Sequence, residues 1–182
     1  RPKKNAFEIC VLGHMRAVKD PFRTAEAVRL LPSNSRIQVL HVGGALSGDM
    51  AQRAQREERD NARYRWLGEM PRWKALRVLA RSRLLVLTSI MEGGANAICE
   101  ALACAVPVLS TRISGSLGML GLDYPGYFPV GDVPALAALL QRVEQDADFY
   151  EDLRTRCLDL RGLVEPESER RSWQKLLAEL SQ

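Results

Sequence analysis

Two glutamates offer the clearest chemistry in the chain. Glu92 and Glu100 stand eight positions apart in the run Met91-Glu92-Gly93-Gly94-Ala95-Asn96-Ala97-Ile98-Cys99-Glu100-Ala101-Leu102. A carboxylate accepts hydrogen bonds at both oxygens, so it can hold the vicinal hydroxyls of a ribose or a sugar ring. Between the two lies a glycine pair followed by what reads as a helix over 95–104. The free N–H groups of Gly94, Ala95 and Asn96 at its start would form an anion site. Glu100 falls one turn after Asn96, on the same helical face. The spacing therefore predicts a phosphate-handling turn with a carboxylate on each side, suited to a nucleotide-linked, hydroxyl-rich ligand. The plainer reading makes Glu92 an exposed loop charge and Glu100 a solvated helix residue. The apolar neighbours Ile98, Cys99, Ala101 and Leu102 count against it.

Three further turns bear on the same ligand. In Gly13-His14-Met15-Arg16-Ala17-Val18-Lys19-Asp20, glycine permits close backbone approach. Arg16 and Lys19 can neutralise a diphosphate, and His14 can donate to it. The alternative there is a basic loop that caps the next helix through Asp20, with Pro21 at its first position. Leu67-Gly68-Glu69-Met70-Pro71 can present backbone to the edge of a base. Thr111 to Gly118 reads as a strand-end loop rich in small polar groups. The tryptophans Trp66, Trp73 and Trp173 read as core rather than as ligand platforms.

Elements must bring these turns together. Strands are expected at 7–12, 37–42, 64–67, 84–87 and 106–109, with an edge strand at 127–129, where a proline is tolerable. Helices are expected at 22–31, 49–61, 73–80, 95–104, 133–149, 150–160 and 167–180, the fifth with Pro134 in its first turn. Continuous apolar strands alternating with helices argue for an α/β fold, a Rossmann-like parallel sheet covered on both faces. Ligands of such sheets bind at the carboxyl ends of the strands, where every glycine turn named above falls.

The chain has 182 residues, 46% of them hydrophobic and 26% charged, as expected of a single globular unit. Residues 1–5 read as a linker or the cut edge of a longer protein, residues 6–182 as one domain, and the last helices, from about 150, as packing on its edge. No apolar window is long enough to span a membrane, and the polar start lacks a secretory core, so a cytoplasmic location is expected. The formal charge of +4 is read as spread along the chain, suiting a basic cleft for phosphates better than nucleic acid. Cys10, Cys99, Cys104 and Cys157 lack C-x-x-C spacing and read as free thiols in a reducing compartment. His14 and His41 are too scattered for a metal site.

At this point the residues resemble a known family. Glu92 through Glu100 is similar to the E-x7-E signature of retaining glycosyltransferases with the two-domain GT-B fold, especially family 4 (group 1). Gly13 to Lys19, His41-Val42-Gly43-Gly44, Leu67 to Met70 and Glu100 to Val108 resemble that family's successive turns, in order. The resemblance implies a C-terminal, donor-binding half whose N-terminal, acceptor-binding partner domain is missing. It implies Lys19 on the donor diphosphate together with the Gly13 loop, Glu92 as the catalytic carboxylate at the sugar, Gly93-Gly94 with Ala95 and Asn96 at the sugar and phosphate, Glu100 on the ribose, and Gly68, Glu69 and Met70 at the base. It implies a nucleotide-sugar donor, UDP-linked and perhaps UDP-N-acetylglucosamine, with no cofactor and no metal. Two departures stand out. His14 occupies the place of a phosphate-binding arginine, for which Arg16 can substitute, and Gly94 replaces an aromatic residue.

A narrower likeness, carried by Leu12 to Phe22, Met91 to Asn96, Arg112 to Gly115 and Asp123 to Phe128, is to bacterial selenosugar synthases, whose acceptor is selenophosphate. Two other readings are a dinucleotide-binding oxidoreductase and a non-catalytic sugar-nucleotide module. The first lacks a G-x-G-x-x-G after its first strand.

Overall fold

The structure, a computed structural model, describes residues 6–180. The expected linker at 1–5 lies outside the described residues. Six strands form one sheet, β1 (Phe7–Leu12), β2 (Ile37–Val42), β3 (Tyr64–Gly68), β4 (Leu84–Leu87), β5 (Val108–Thr111) and β6 (Tyr127–Phe128). Their order is β3-β2-β1-β4-β5-β6, and every pairing is parallel. The order reverses between β1 and β4, which creates the crevice where such sheets bind ligands. The expected α/β Rossmann-like sheet is therefore present. β4 and β5 are buried along their whole length, as strands covered on both faces must be.

Among the described residues, eight α-helices connect and follow the strands: α1 (Arg23–Arg29), α2 (Gly48–Asp60), α3 (Arg72–Arg81), α4 (Asn96–Ala103), α5 (Ser114–Leu120), α6 (Val133–Gln145), α7 (Ala147–Asp159) and α8 (Pro166–Leu180). The sequence signals that set them are local. Ser47 accepts from the Met50 N–H at 3.3 Å, and Asp132 accepts from the Ala135 N–H at 2.8 Å, each capping the helix that follows. One continuous core of buried Ile, Leu, Val and Phe side chains fills the space between sheet and helices.

Several expectations are corrected. The boundary between the helices expected at 133–149 and 150–160 falls earlier, at Asp146, which leaves helical geometry (φ −108°, ψ 98°) and whose carboxylate accepts the Phe149 N–H at 2.9 Å. The 111–118 loop contains α5, tied down by a 2.7 Å hydrogen bond between the Ser110 and Ser116 hydroxyls. The fifth strand starts at Val108 rather than Val106, because α4 ends in a Schellman turn. There Ala105 takes a left-handed φ of 57°, its N–H reaches the Leu102 carbonyl, and the Val106 N–H reaches that of Ala101. Asp20 does not cap α1. It sits at φ 43° after a short 3₁₀ turn over Ala17–Lys19, and its carboxylate accepts from Arg23 Nε at 2.7 Å. Trp73 and Trp173 are exposed (55% and 57%) instead of core, and Trp66 is half-buried.

Candidate functional site

The glycine turns converge at the carboxyl ends of β1 and β2 beside the reversal. Gly13 follows β1 and its N–H donates to the Val42 carbonyl at 2.9 Å; Gly43 follows β2 and donates to the Gly68 carbonyl at 2.9 Å. A side chain on Gly43 (φ +152°) would lie 1.9 Å from the Gly13 carbonyl oxygen, so only glycine lets the two turns touch. The Trp66 indole N–H holds the Gly43 carbonyl at 2.8 Å. Beneath this layer His41 is buried against the Tyr64 hydroxyl at 2.8 Å. Burial pushes its imidazolium down to about 4, partly offset by the Gly13 backbone.

Above the layer opens a cleft of about 530 Å³. It is lined by the β1 turn (Gly13, His14, Arg16, Lys19), by Glu69 and Met70 after β3, and by Glu92, Gly94, Asn96 and Glu100. Gly13 and Glu100, 87 positions apart, thus share one space. His14 accepts the Gly44 N–H on Nδ1 at 3.0 Å, so its neutral ring carries the proton on Nε2, free to donate to a ligand.

Glu92 is held from two sides. Its Oε1 accepts both the Lys19 ammonium and the Ser89 hydroxyl, the latter at 2.6 Å. The carboxylate is 9% exposed and the lysine 31%, so this pair is shielded from water. The backbone around it is fixed as well. The Thr88 hydroxyl donates to the carbonyls of Lys19 and Asp20 at 3.0 and 2.9 Å, the Ile90 N–H reaches the Val18 carbonyl at 2.8 Å, and Thr111 holds the Ser89 carbonyl at 2.6 Å. α5 approaches so closely at Gly115 that an added methyl would lie 2.6 Å from the Glu92 carbonyl oxygen.

Glu100 projects from α4 at the other side of the cleft. Arg72, the first residue of α3, meets its Oε1 with both Nε and Nη2 at 3.0 Å. Sequence reasoning missed Arg72, Ser89 and Thr88. Their partners lie 28, 3 and 69 positions away, and a helix-start arginine or a strand-end hydroxyl carries no mark of its own.

Other site expectations are amended. The Asn96 N–H is not free for an anion, because it donates to the Gly94 carbonyl at 3.0 Å, and no side chain caps α4. Ala95 is buried, and neither Gly93 nor Gly68 lines the cleft. The cleft is not basic: Arg16, Lys19 and Arg72 face Glu69, Glu92 and Glu100. Among the described residues only Arg16 of those cations has no ion-pair partner.

All four cysteines are free; burial, with Glu100 adding to it, pushes the Cys10 thiol up to about 12. No group of three or more His, Cys, Asp or Glu side chains is placed to hold a metal among the described residues, and no described helix is long and apolar enough to cross a membrane.

Comparison with known proteins adds an independent line. The sequence model of the family glycosyl transferases group 1 matches residues 1–157. A curated relative, the UDP-Gal:alpha-D-GlcNAc-diphosphoundecaprenol alpha-1,3-galactosyltransferase of Escherichia coli, is 26% identical over 152 residues, covering 79% of this chain and 38% of the relative. Among solved structures, Anabaena HepE in complex with UDP and glucose superposes with a TM-score of 0.77 at 19% identity, over 96% of this chain and 49% of that one. The sucrose-phosphate synthase of Thermosynechococcus elongatus gives 0.76 at 22% identity, over 97% and 46%. The chain thus spans half or less of the length of these relatives.

Proposed function

The chain belongs to the group 1 glycosyl transferases, and from that membership we propose that it is the donor-binding half of a retaining, family 4-type enzyme. It takes a UDP-linked sugar, with UDP-N-acetylglucosamine one donor to test, and transfers the sugar to an acceptor held by an N-terminal domain. The observation that carries this reading is the convergence of the Gly13–Lys19 loop and both glutamates on one cleft at the sheet reversal. A curated relative and a structural neighbour named for UDP-galactose and UDP fit the choice of base.

The geometry suggests how these residues work. The diphosphate lies across the β1 turn, where the His14 Nε2 proton, Arg16 and Lys19 can donate to it. As the glycosidic bond breaks, negative charge grows on the leaving phosphate, and these fixed donors stabilise it more than they do the ground state. Glu92 sits beside Lys19 and faces the sugar; its pairing keeps the ammonium aimed before the donor arrives. Glu100 takes the ribose hydroxyls, sharing Arg72. The working place is the cytoplasm, where nucleotide sugars are met. Under the narrower likeness to selenosugar synthases the acceptor is selenophosphate, and Arg16, the cleft cation without an acidic partner, is the residue to receive that second anion.

Calorimetric titration with UDP, UDP-N-acetylglucosamine, GDP, ADP and NAD tests this reading. Selective UDP binding is expected, weakened in Glu100→Ala. Preference for NAD by the chain and by the full-length protein would overturn it. The chain alone is expected to bind donor without transferring sugar.

A further inference from the structure

One stretch of this protein carries positive charge without any acidic residue, and most of it lies outside the cleft. From residue 70 to residue 91 there are five basic residues, Arg72, Lys74, Arg77, Arg81 and Arg83, and no acidic one. That local excess is larger than the net charge of +4 for the whole chain. α3 carries four of the five. Its apolar side, Ala75 and Leu79 with Leu76 and Val78, packs into the core. Its outer side presents Trp73, Arg77 and Arg81 in one line at four-residue spacing, with Lys74 alongside, all exposed. Arg72 alone is paired, with Glu100; among the described residues Lys74, Arg77 and Arg81 form no ion pair.

We propose that this outer face of α3 docks the protein on an anionic phospholipid surface. Three observations favour lipid as the occupant. Unpaired cations on a ten-residue helix, with no carboxylate among them, complement a negatively charged headgroup layer. Trp73 is 55% exposed, and indole is the side chain best suited to the layer between headgroups and acyl chains. The Lys74 ammonium and the Arg77 guanidinium lie over its ring, 5.3 and 5.0 Å from the centroid. With Trp73 its one aromatic residue, α3 lacks the succession of aromatic platforms on which the bases of a single strand stack. The docking also has a geometric consequence. Arg72, at the start of the same helix, lines the cleft, so a docked α3 sets the cleft beside the bilayer, within reach of a substrate that carries a lipid tail. The docking surface is separate from the donor site and does not depend on the donor reading.

The test is co-sedimentation of the full-length protein with phosphatidylcholine vesicles, with and without about one-third phosphatidylglycerol. Binding is expected only to the anionic vesicles, fading as salt rises, because screening shortens the reach of surface charge. Lys74→Glu with Arg77→Glu is expected to weaken it on the order of tenfold or more, and Trp73→Ser to weaken it in the correctly charged background. Arg56→Glu with Arg65→Glu, the same charge change at exposed residues of α2 and β3, is expected to keep most of it. Circular dichroism checks that each variant is folded. Three results overturn the proposal: no binding of the unaltered protein to anionic vesicles, equal loss in the α2 and β3 control, or tighter binding to single-stranded RNA that the α3 variants abolish.

Discussion

The cleft and the outer face of α3 share one residue boundary and use charge in opposite ways. In the cleft, cations face carboxylates one for one, and two of the three pairs touch, Lys19 with Glu92 and Arg72 with Glu100. On the outer face, cations stand together without a counter-charge. Paired charges at a shielded site cost little to keep oriented, and they exchange partners when a polar ligand enters. Unpaired exposed charges do not position anything; they set a field that falls off within a Debye length of about 8–10 Å. Net charge therefore says little about where a protein binds an anion. Residues 70–91 alone carry five positive charges and no negative one, more than the +4 of the whole chain, while the cations of the cleft are matched by carboxylates.

The sharpest way to break this comparison is at Glu92. Glu92→Gln in the full-length protein removes the counter-charge of Lys19 and the carboxylate proposed to face the sugar, and initial rates should fall roughly 100-fold or more. Lys74→Glu with Arg77→Glu should leave those rates unchanged when the substrates are water-soluble. If the α3 variant also loses turnover, the two regions are not separable.

The next effect concerns the buried layer beneath the glycine turns. His41 protonates at about 4 when folded, against an ordinary 6.5, because burial disfavours its charged form. Between those values the unfolded chain binds the extra proton. The contribution of the neutral ring is therefore complete above pH 6.5 and is lost as pH falls toward 4. The shift corresponds to a loss of up to about 3 kcal/mol. Urea midpoints between pH 7 and pH 4 should drop in the parent protein and drop less in His41→Gln, while substitutions on α3 leave the slope as it is.

A smaller effect is expected at Glu100. Its replacement by alanine should weaken UDP binding by roughly 1.5–3 kcal/mol, the range for a hydrogen bond to a charged group. Calorimetry reads this directly, and an unchanged affinity would remove Glu100 from the ribose. Smallest of all, Arg77→Glu should shift the midpoint of unfolding by no more than about 0.5 kcal/mol, as exposed substitutions do. A larger loss would mean that the basic face contributes to the fold.

Much of the scaffold was legible because it rests on local pattern. Strand β2 runs between Arg36 and Gly43, β1 ends at Gly13 and β4 starts after Arg83, so at these ends an apolar run meets a charged residue or a glycine turn. Local signals were also overlooked. Asp146 heads a helix by the same carboxylate capping as Asp132, yet in the sequence it reads as interior because the apolar period continues across it. In the sequence α5 reads as loop because Gly115 and Gly118 weaken its helical signal, and the hydroxyl pair of Ser110 and Ser116 that secures it joins two separate elements.

At the site, residue types and their spacing in the sequence were enough to single out Glu92, Glu100, Lys19, His14 and Arg16, since phosphate and diol chemistry needs those groups near glycine turns. The sequence by itself determined the parallel α/β sheet and the candidates that its turns would carry, because hydrophobic period and turn chemistry act over a few residues. Only the tertiary structure decided which charges meet. Whether Lys19 faces Glu92 across 73 positions, Arg72 faces Glu100 across 28, or Arg77 faces solvent depends on how distant turns and helices pack. Coulomb energy depends on distance in space, and no local pattern encodes that distance.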